Sequence, residues 1–342
     1  MSLGLDLSIS VDPRSEVRPF HTRHPEVFTG ALIVAVSLVV GVINPAFFQV
    51  STFFDLLRSS TVTGMFALGV LIVLAAGGID VSFTAIAALS MYSLTKLVYA
   101  FWPSAPIVLI LFLGAAFGIL LGLVNGFLVH HLKAPSLIVT IGTQYLFRGF
   151  LLTFVGTVFF MNIPPSMDNF GRLALIKLSV GAMGQTSFTV LPVFVLILLI
   201  CSLLTWFILN RTLMGRAIYA MGGSLNITER LGYNIKAVHL FVFGYSGFLA
   251  GLAGIVHVSS NRLANPFDLV GIELDVIAAV ILGGARITGG TGSVTGTLLG
   301  VFLVVLINNV LILAGVPSTW QKVIIGSFIL IAGALFAIQR QK

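Results

Sequence analysis

Four acids lie in or beside sequence that is otherwise apolar enough for lipid: Asp55, Asp80, Glu273 and Asp275. An ionisable group at membrane depth is costly, so each is a candidate for solute or ion contact. Each also has a plainer explanation. Asp55 and Arg58 stand three residues apart and could pair at an interface. Asp80 follows Gly77 and Gly78, so it either caps a helix beginning at Ser82 or meets a solute. Glu273 and Asp275 mark the start of a short apolar run, or sit at the membrane surface. Neutral polar residues inside apolar runs are better solute candidates: Asn125, Thr140, Thr143, Gln144, Asn308 and Asn309. Amides offer donors and acceptors together, which suits a hydroxyl-rich ligand. The competing use is hydrogen bonding between helices. Tyr145, Phe147 and Phe66 could stack on a sugar ring or simply face lipid and core. Arg148, close to Gln144, could snorkel to the outer interface.

Other chemistry finds no support. His130, His131, His239 and His257 have no carboxylates or cysteines at metal-ligand spacing, so no metal site is expected. No Ser/His/Asp or Cys/His arrangement stands out, and a covalent enzyme is not expected. Cys201, the single cysteine, lies in an apolar run and reads as a small core residue. The glycine-rich stretch 283–293 lacks the Lys-Ser/Thr ending of a phosphate-binding loop, and no strand precedes it. No cofactor is therefore expected in this chain; if ATP is used, another subunit binds it with its magnesium.

The elements that must position these residues are membrane helices. Of the 342 residues, 58% are hydrophobic and only 8% charged, against about 25% charged in soluble domains. A span takes roughly 20 apolar residues, and backbone groups in lipid must be satisfied internally, which favours helices. A barrel would alternate polarity every second residue, and these runs do not. Ten segments follow from length: 27–43, 62–76, 83–101, 106–129, 136–155, 190–209, 238–258, 274–282, 294–313 and 323–338. The second and eighth are too short or too broken to be simple spans. A polar loop occupies 156–189. Residues 1–26 carry Asp6, Asp12, Glu16 and Glu26 among Arg14, Arg18 and Arg23, with no apolar core of signal-peptide length, and read as a cytoplasmic tail.

Basic residues orient the chain. With both termini inside, one side collects Arg14, Arg18, Arg23, Lys133, Arg211, Arg216, Arg230, Lys236, Arg286, Arg340 and Lys342. The other side holds Lys96, Arg172, Lys177, Arg262 and Lys322. The bias puts the tail in the cytoplasm. It also explains the net charge of +7 without nucleic acid. Glycines recur every fourth residue at 114–126, at 292–300 and at 247–251, a spacing that lets helix backbones approach closely. Two glycine-rich breaks interrupt apolar segments: 75–82, with Gly77 and Gly78, and 283–293, with Gly283 and Gly284. Broken helices at membrane depth line cavities or lie buried in protein, so the breaks are candidate gates and corresponding points of two halves.

The most polar part of the middle runs over 210–237. It holds Arg211, Arg216, Glu229, Arg230 and Lys236 with the pair Gly222 and Gly223, between long apolar runs. A compact polar stretch there reads as a docking surface outside the bilayer. Its basic residues can pair with acids on a partner, and Gly222 and Gly223 would allow a sharp bend.

Met-Gly-Arg-Ala-Ile-Tyr-Ala-Met-Gly-Gly-Ser over 214–224, followed by Gly-Tyr-Asn-Ile over 232–235, resembles the coupling loop of permease subunits of the ribose/xylose/autoinducer-2 class of bacterial ABC importers. Other matching stretches are Asn-Pro-Ala-Phe-Phe over 44–48, Gly-Gly-Ile-Asp-Val-Ser over 77–82, Gly-Leu-Val-Asn-Gly over 122–126 and Pro-Ser-Leu-Ile-Val-Thr-Ile-Gly-Thr over 135–143. So are Glu-Leu-Asp-Val-Ile-Ala-Ala-Val-Ile-Leu-Gly-Gly over 273–284 and Gly-Gly-Thr-Gly-Ser over 289–293. They occur in family order from about residue 27 to the end. The resemblance implies an all-α membrane protein of about ten helices with the type II importer permease fold, in the bacterial inner membrane. It implies two permease subunits, identical or paralogous, two cytoplasmic ATPase subunits and a periplasmic binding protein that supplies most selectivity. It places a short helix of the polar segment in a groove of the ATPase, which makes Arg216, Gly222, Gly223, Ser224, Glu229, Arg230 and Gly232 the coupling residues. Ser224 stands where the family usually has Asn, and Ile227-Thr228 where it carries a small Ala-Ala pair; Gly232 is kept. The substrate path falls to Asp80, Asn125, Thr140, Gln144, Asn308 and Asn309. The solute would be a monosaccharide or similar small polyhydroxylated molecule, with a polyol, autoinducer-2 or a nucleoside as alternatives. The rival class is a self-contained secondary transporter or channel, against which the sparse, unpaired acids speak.

Overall fold

Glycine and proline set the helix ends of this chain. The computed structural model describes residues 25–182 and 185–313, together with residues 317, 320, 323, 326 and 327. The amino-terminal tail up to residue 24 and most of the tenth segment fall outside the described residues.

Helix α1, Pro25–Ile43, opens on a proline and stops before Asn44-Pro45, where the following proline disfavours helix. A 3-10 turn, Pro45–Phe48, leads into α2, Val50–Ala75. Then come α3, Phe83–Phe101; α4, Ile107–Leu132; and α5, Ser136–Phe150, extended by a π turn, Leu151–Val155. Outside these spans lie α6, Pro165–Arg172, and a two-stranded antiparallel hairpin, β1 Ala174–Ala182 and β2 Gln185–Pro192. The rest comprises α7, Phe194–Arg211; α8, Leu213–Gly223; α9, Leu225–Arg230; α10, Ile235–Asn261; α11, Glu273–Leu282; and α12, Val294–Leu313. Among the described residues seven helices are long and apolar enough to cross a membrane, and α1 is a shorter apolar helix. The fold is all-α in its membrane part, with one small hairpin.

Three expectations need correction. The second segment is no stub: α2 has 26 residues and starts twelve residues before the expected 62. Its first turns carry Asp55 and Arg58, which depress hydropathy without breaking the helix. Those two side chains form no ion pair; Arg58 donates instead to the Ser260 carbonyl at 3.2 Å. Second, the expected polar loop 156–189 is ordered by α6 and most of the hairpin. Third, the sixth span starts at Phe194 rather than 190, because residues 190–192 belong to β2.

The core is built around α2 and α10, and α4 packs on α10, antiparallel and at backbone contact. A Cβ placed on Gly118 would stand 2.1 Å from the Gly247 carbonyl, and one on Gly251 would stand 2.1 Å from that of Gly114. Any larger residue would force the helices apart. The same device joins α11 to α12, where a Cβ on Gly300 would meet the Ala279 carbonyl at 2.0 Å. The glycine spacing read from sequence therefore marks helix packing. Cys201 is buried in α7.

Candidate functional site

Both broken segments end their first helix in the same way. Gly77 N–H donates to Leu74 O at 2.8 Å and Gly78 N–H to Val73 O at 2.9 Å. Gly284 N–H donates to Ile281 O at 2.8 Å and Ala285 N–H to Val280 O at 3.3 Å. Each pair closes a Schellman cap, which needs a left-handed residue; Gly77 has φ +82° and Gly284 φ +98°. Gly78 and Gly283 lie beside these caps without positive φ: Gly78 faces Ser136 of α5, and Gly283 faces the Gly296 carbonyl of α12.

The two breaks touch each other, and α8 touches both. Gly290 N–H, in the second break, donates to the Ala75 carbonyl at the end of α2, 3.0 Å away. Gly222, near the end of α8, fills the space between them. A Cβ on Gly222 would fall 2.0 Å from Ala75 O and 2.3 Å from Gly290 N. A Cβ on Gly289 would fall 2.7 Å from the Gly77 Cα and 2.8 Å from that of Gly222. Tyr219, one turn earlier in α8, donates to the Gly292 carbonyl at 2.8 Å, and burial raises its phenol above the usual range. The start of α1 joins the second break as well, through the Glu26 carboxylate, which accepts from Ser293 Oγ and, at 3.3 Å, from Thr295 Oγ1.

The polar segment therefore has an inner and an outer side. Gly215, Ala217, Ile218 and Met221 are buried, while Arg216, Gly223, Glu229, Arg230 and Gly232 are exposed. Exposed apolar groups stand among them: Leu213 is 67% exposed, Ile227 60% and Leu231 65%. Charged and apolar groups together outside the spans make a surface suited to a protein partner. The bend is not at Gly222 and Gly223, as the sequence suggested, but at Ser224, whose backbone is extended. Ser224 caps α9, its Oγ accepting from Ile227 N–H at 3.4 Å, so serine does there what asparagine would. Thr228 is fully buried and donates to the Ser224 carbonyl at 2.8 Å. Gly232, with φ +83°, ends α9 in a third Schellman cap: its N–H donates to Glu229 O at 2.9 Å and that of Tyr233 to Thr228 O at 3.3 Å.

Within the first break, after its glycines, residues 79–82 carry the polar groups. Asp80 is 1% exposed. Its Oδ1 accepts from Ser82 N–H at 2.8 Å and Ser82 Oγ at 2.7 Å, and its Oδ2 accepts from Ser246 Oγ at 2.9 Å. Asn125 donates to Ser82 Oγ at 2.7 Å, while its own Oδ1 is buried without a partner. Thr140 donates to the Ile79 carbonyl at 3.2 Å, and Ser136 Oγ accepts from Ile79 N–H at 2.8 Å. Asp80, Asn125 and Thr140 thus form one buried group spanning the first break, α4, α5 and α10.

A second group lies beside it. Glu273, the first residue of α11, accepts on one oxygen, Oε1, from Thr84 Oγ1 at 2.6 Å and from Gln144 Nε2 at 2.9 Å. It is only 8% exposed, so it is a bundle residue and not a surface marker. The sequence names it among four candidate acids but leaves it at a helix start or the membrane surface, because an acid before a short apolar run looks like a helix start at an interface. Asn308 and Asn309 join neither group. They lie in the last turns of α12, where Asn309 donates to the Val305 carbonyl of its own helix at 2.9 Å. Phe66 and Phe147 are buried in the core, and Tyr145 is exposed.

Long apolar helices, two of them broken, with polar groups inside the bundle and an exposed polar segment against both breaks, define a multi-pass membrane permease. The comparisons agree. Residues 52–333 match the family described as the permease component of the branched-chain amino acid transport system, and the chain belongs to that family. It is 34% identical over 303 residues to the ribose import permease protein RbsC of Haemophilus influenzae, covering 88% of this chain and 90% of that protein. It is 32% identical over 305 residues to RbsC of Bacillus subtilis, covering 89% and 90%. It is 30% identical over 303 residues to the autoinducer 2 import system permease protein LsrC of Yersinia pestis, covering 87% and 80%. No solved structure matches. Within the family, the chain is an ABC permease of the ribose and autoinducer-2 type, and hence a transport subunit.

Proposed function

We propose that this chain carries a monosaccharide or similar small polyhydroxylated solute into the cytoplasm by alternating access, driven by ATP hydrolysed in a separate subunit. The polar segment 210–237 docks on that ATPase, which holds the nucleotide and its magnesium. A second permease copy or paralogue completes the path, and a periplasmic solute-binding protein delivers the solute. Both termini face the cytoplasm, on the strength of the basic-residue bias.

The observation that carries this reading is the position of Gly222. Its neighbours on one side are the end of α2 and on the other the glycine turn before α12. A push on the outer face of α8 is passed to both breaks at once, because backbone meets backbone with no side chain to absorb the motion. The first break leads directly to Asp80. The second follows α11, whose first residue is Glu273. Movement at the docking surface thereby reaches the polar groups inside the bundle. The sugar assignment is supported by relatives whose names specify ribose and autoinducer-2 import, and by amide, hydroxyl and carboxylate groups suited to hydroxyls.

The test is uptake of labelled pentoses into proteoliposomes holding this chain, its binding protein and its ATPase. Uptake should need ATP and the ATPase. Uptake by this chain alone, driven by a proton or sodium gradient, would overturn the reading.

A further inference from the structure

Among the described residues, Glu273 holds a carboxylate oxygen without a donor. Both of its hydrogen bonds, from Thr84 and Gln144, fall on Oε1, and none falls on Oε2. The residue is more than nine-tenths buried. Its depth follows from α11, whose ten residues rise about 15 Å. The end of α11 packs at the glycine junction, so Glu273 stands about 15 Å into the bundle from that junction. The 26 residues of α2 cover about 39 Å, which puts Glu273 near the middle of the spans.

A carboxylate oxygen at that depth cannot face lipid without a cost of several kcal/mol, so it faces a polar path or another polar group. Gln144, its donor from α5, is only half-buried, so the group is not closed on that side. A carboxylate is an acceptor only, and its spare oxygen takes hydroxyl donors. Asp80 offers a contrast. Its two oxygens are both used by Ser82 and Ser246, so it has become part of the scaffold.

We propose that Glu273 Oε2 accepts a hydrogen bond from a hydroxyl of the passing solute, with Thr84 and Gln144 as positioning residues that fix the carboxylate through Oε1. The inference rests on the proposed transport of a polyhydroxylated solute and names a contact within it. Gln144 thereby acts on the path through Glu273. The bond is made part-way through the membrane, after the binding protein has released the solute, so it adds discrimination between hydroxylated and deoxy solutes at the permease itself.

The test compares uptake of D-ribose, D-xylose and D-galactose with uptake of their monodeoxy derivatives, in the complete reconstituted transporter. Wild type, Glu273→Gln and Thr84→Val are used with the same binding protein and ATPase, whose own preferences cancel in the ratio between variants. At one hydroxyl position the parent-to-deoxy ratio should fall about tenfold in E273Q, the loss of one hydrogen bond to a charged acceptor. T84V, which loosens the carboxylate without removing it, should lower the same ratio about threefold, a smaller share of that bond. T84V also keeps the test open if E273Q is not recovered as a monodisperse protein. A purely structural role would lower uptake of parent and deoxy solute alike. Ratios unchanged at every position in the recovered variants overturn this inference and leave the transport reading standing. If wild type takes up no neutral sugar, the proposed solute class falls and this inference with it.

Discussion

The two helix breaks are alike at their first turn and differ in the residues beyond it. Each begins with a Schellman cap on a left-handed glycine, Gly77 or Gly284. After the first, the chain carries Asp80, both of whose oxygens accept from the protein, and is tied to α4, α5 and α10. After the second, the chain makes a glycine turn with left-handed Gly289 and Gly290 and no acid, held mainly by backbone contacts with Ala75, Gly77 and Gly222. Its acid, Glu273, stands upstream and is half satisfied. The first break is therefore locked to the polar group inside the bundle by buried hydrogen bonds, while the second meets α2 and α8 by backbone contact and is tied to α1 through Glu26.

The sharpest way to break this contrast is to remove the lock. Asp80→Leu leaves Ser82 N–H, Ser82 Oγ–H and Ser246 Oγ–H without their acceptor. At about 1–3 kcal/mol for each unsatisfied buried donor, the protein should melt several degrees lower or fail to be recovered, as read by thermal unfolding in detergent. Ser246→Ala removes one donor and should cost far less. If D80L melts with wild type, Asp80 is not a lock.

Gly289→Ala comes next. It combines a left-handed φ of +90° with a Cβ less than 3 Å from the Gly77 and Gly222 backbones. Backbone strain of about 1 kcal/mol adds to overpacking of about 1–3 kcal/mol. Gly232→Ala isolates the first term, because at φ +83° its Cβ would meet nothing within 4 Å. It should cost about 1 kcal/mol, so equal melting losses for G289A and G232A would show that the three-glycine contact carries no load.

The smallest expected stability change is Arg216→Glu. Arg216 is exposed on the outer side of α8, so thermal unfolding should move within about 0.5 kcal/mol of wild type. Solute-stimulated ATP hydrolysis should nonetheless fall. Wild-type uptake and stimulation in R216E would remove this face from the docking surface.

Much of this was legible in sequence, where one local rule decides the structure. The glycine spacing marked faces of close helix packing, because in lipid a four-residue glycine period lets backbones approach; which helices meet there came only with the fold. Asp80 stood out because it follows Gly-Gly. Ser224 stood out only as a departure from the family's Asn, and its capping of α9 came with the fold. The unread parts depend on tertiary neighbours. Glu273 looks like any acid before a helix until Thr84 and Gln144 are brought to it from far along the chain. Gly222 looks like a hinge until Ala75 and Gly290 are placed against it. Asn308 and Asn309 have the right chemistry but sit in the last turns of α12, apart from both polar groups. Residues 50–61 were missed because two charges and several hydroxyls lower hydropathy without stopping a helix.

The central claim is that α8 drives both breaks through Gly222, and neighbouring glycines test it most directly. Gly222→Ala would place a Cβ 2.0 Å from the Ala75 carbonyl, whereas Gly223→Ala would meet nothing within 4 Å. ATP-driven pentose uptake should be compared for the two variants in proteoliposomes, alongside co-purification of the ATPase. The account predicts that G223A transports like wild type, while G222A keeps its ATPase and loses at least about tenfold in uptake, the scale of an overpacking cost of about 1–3 kcal/mol. Equal uptake in the two variants, at any level, would contradict it.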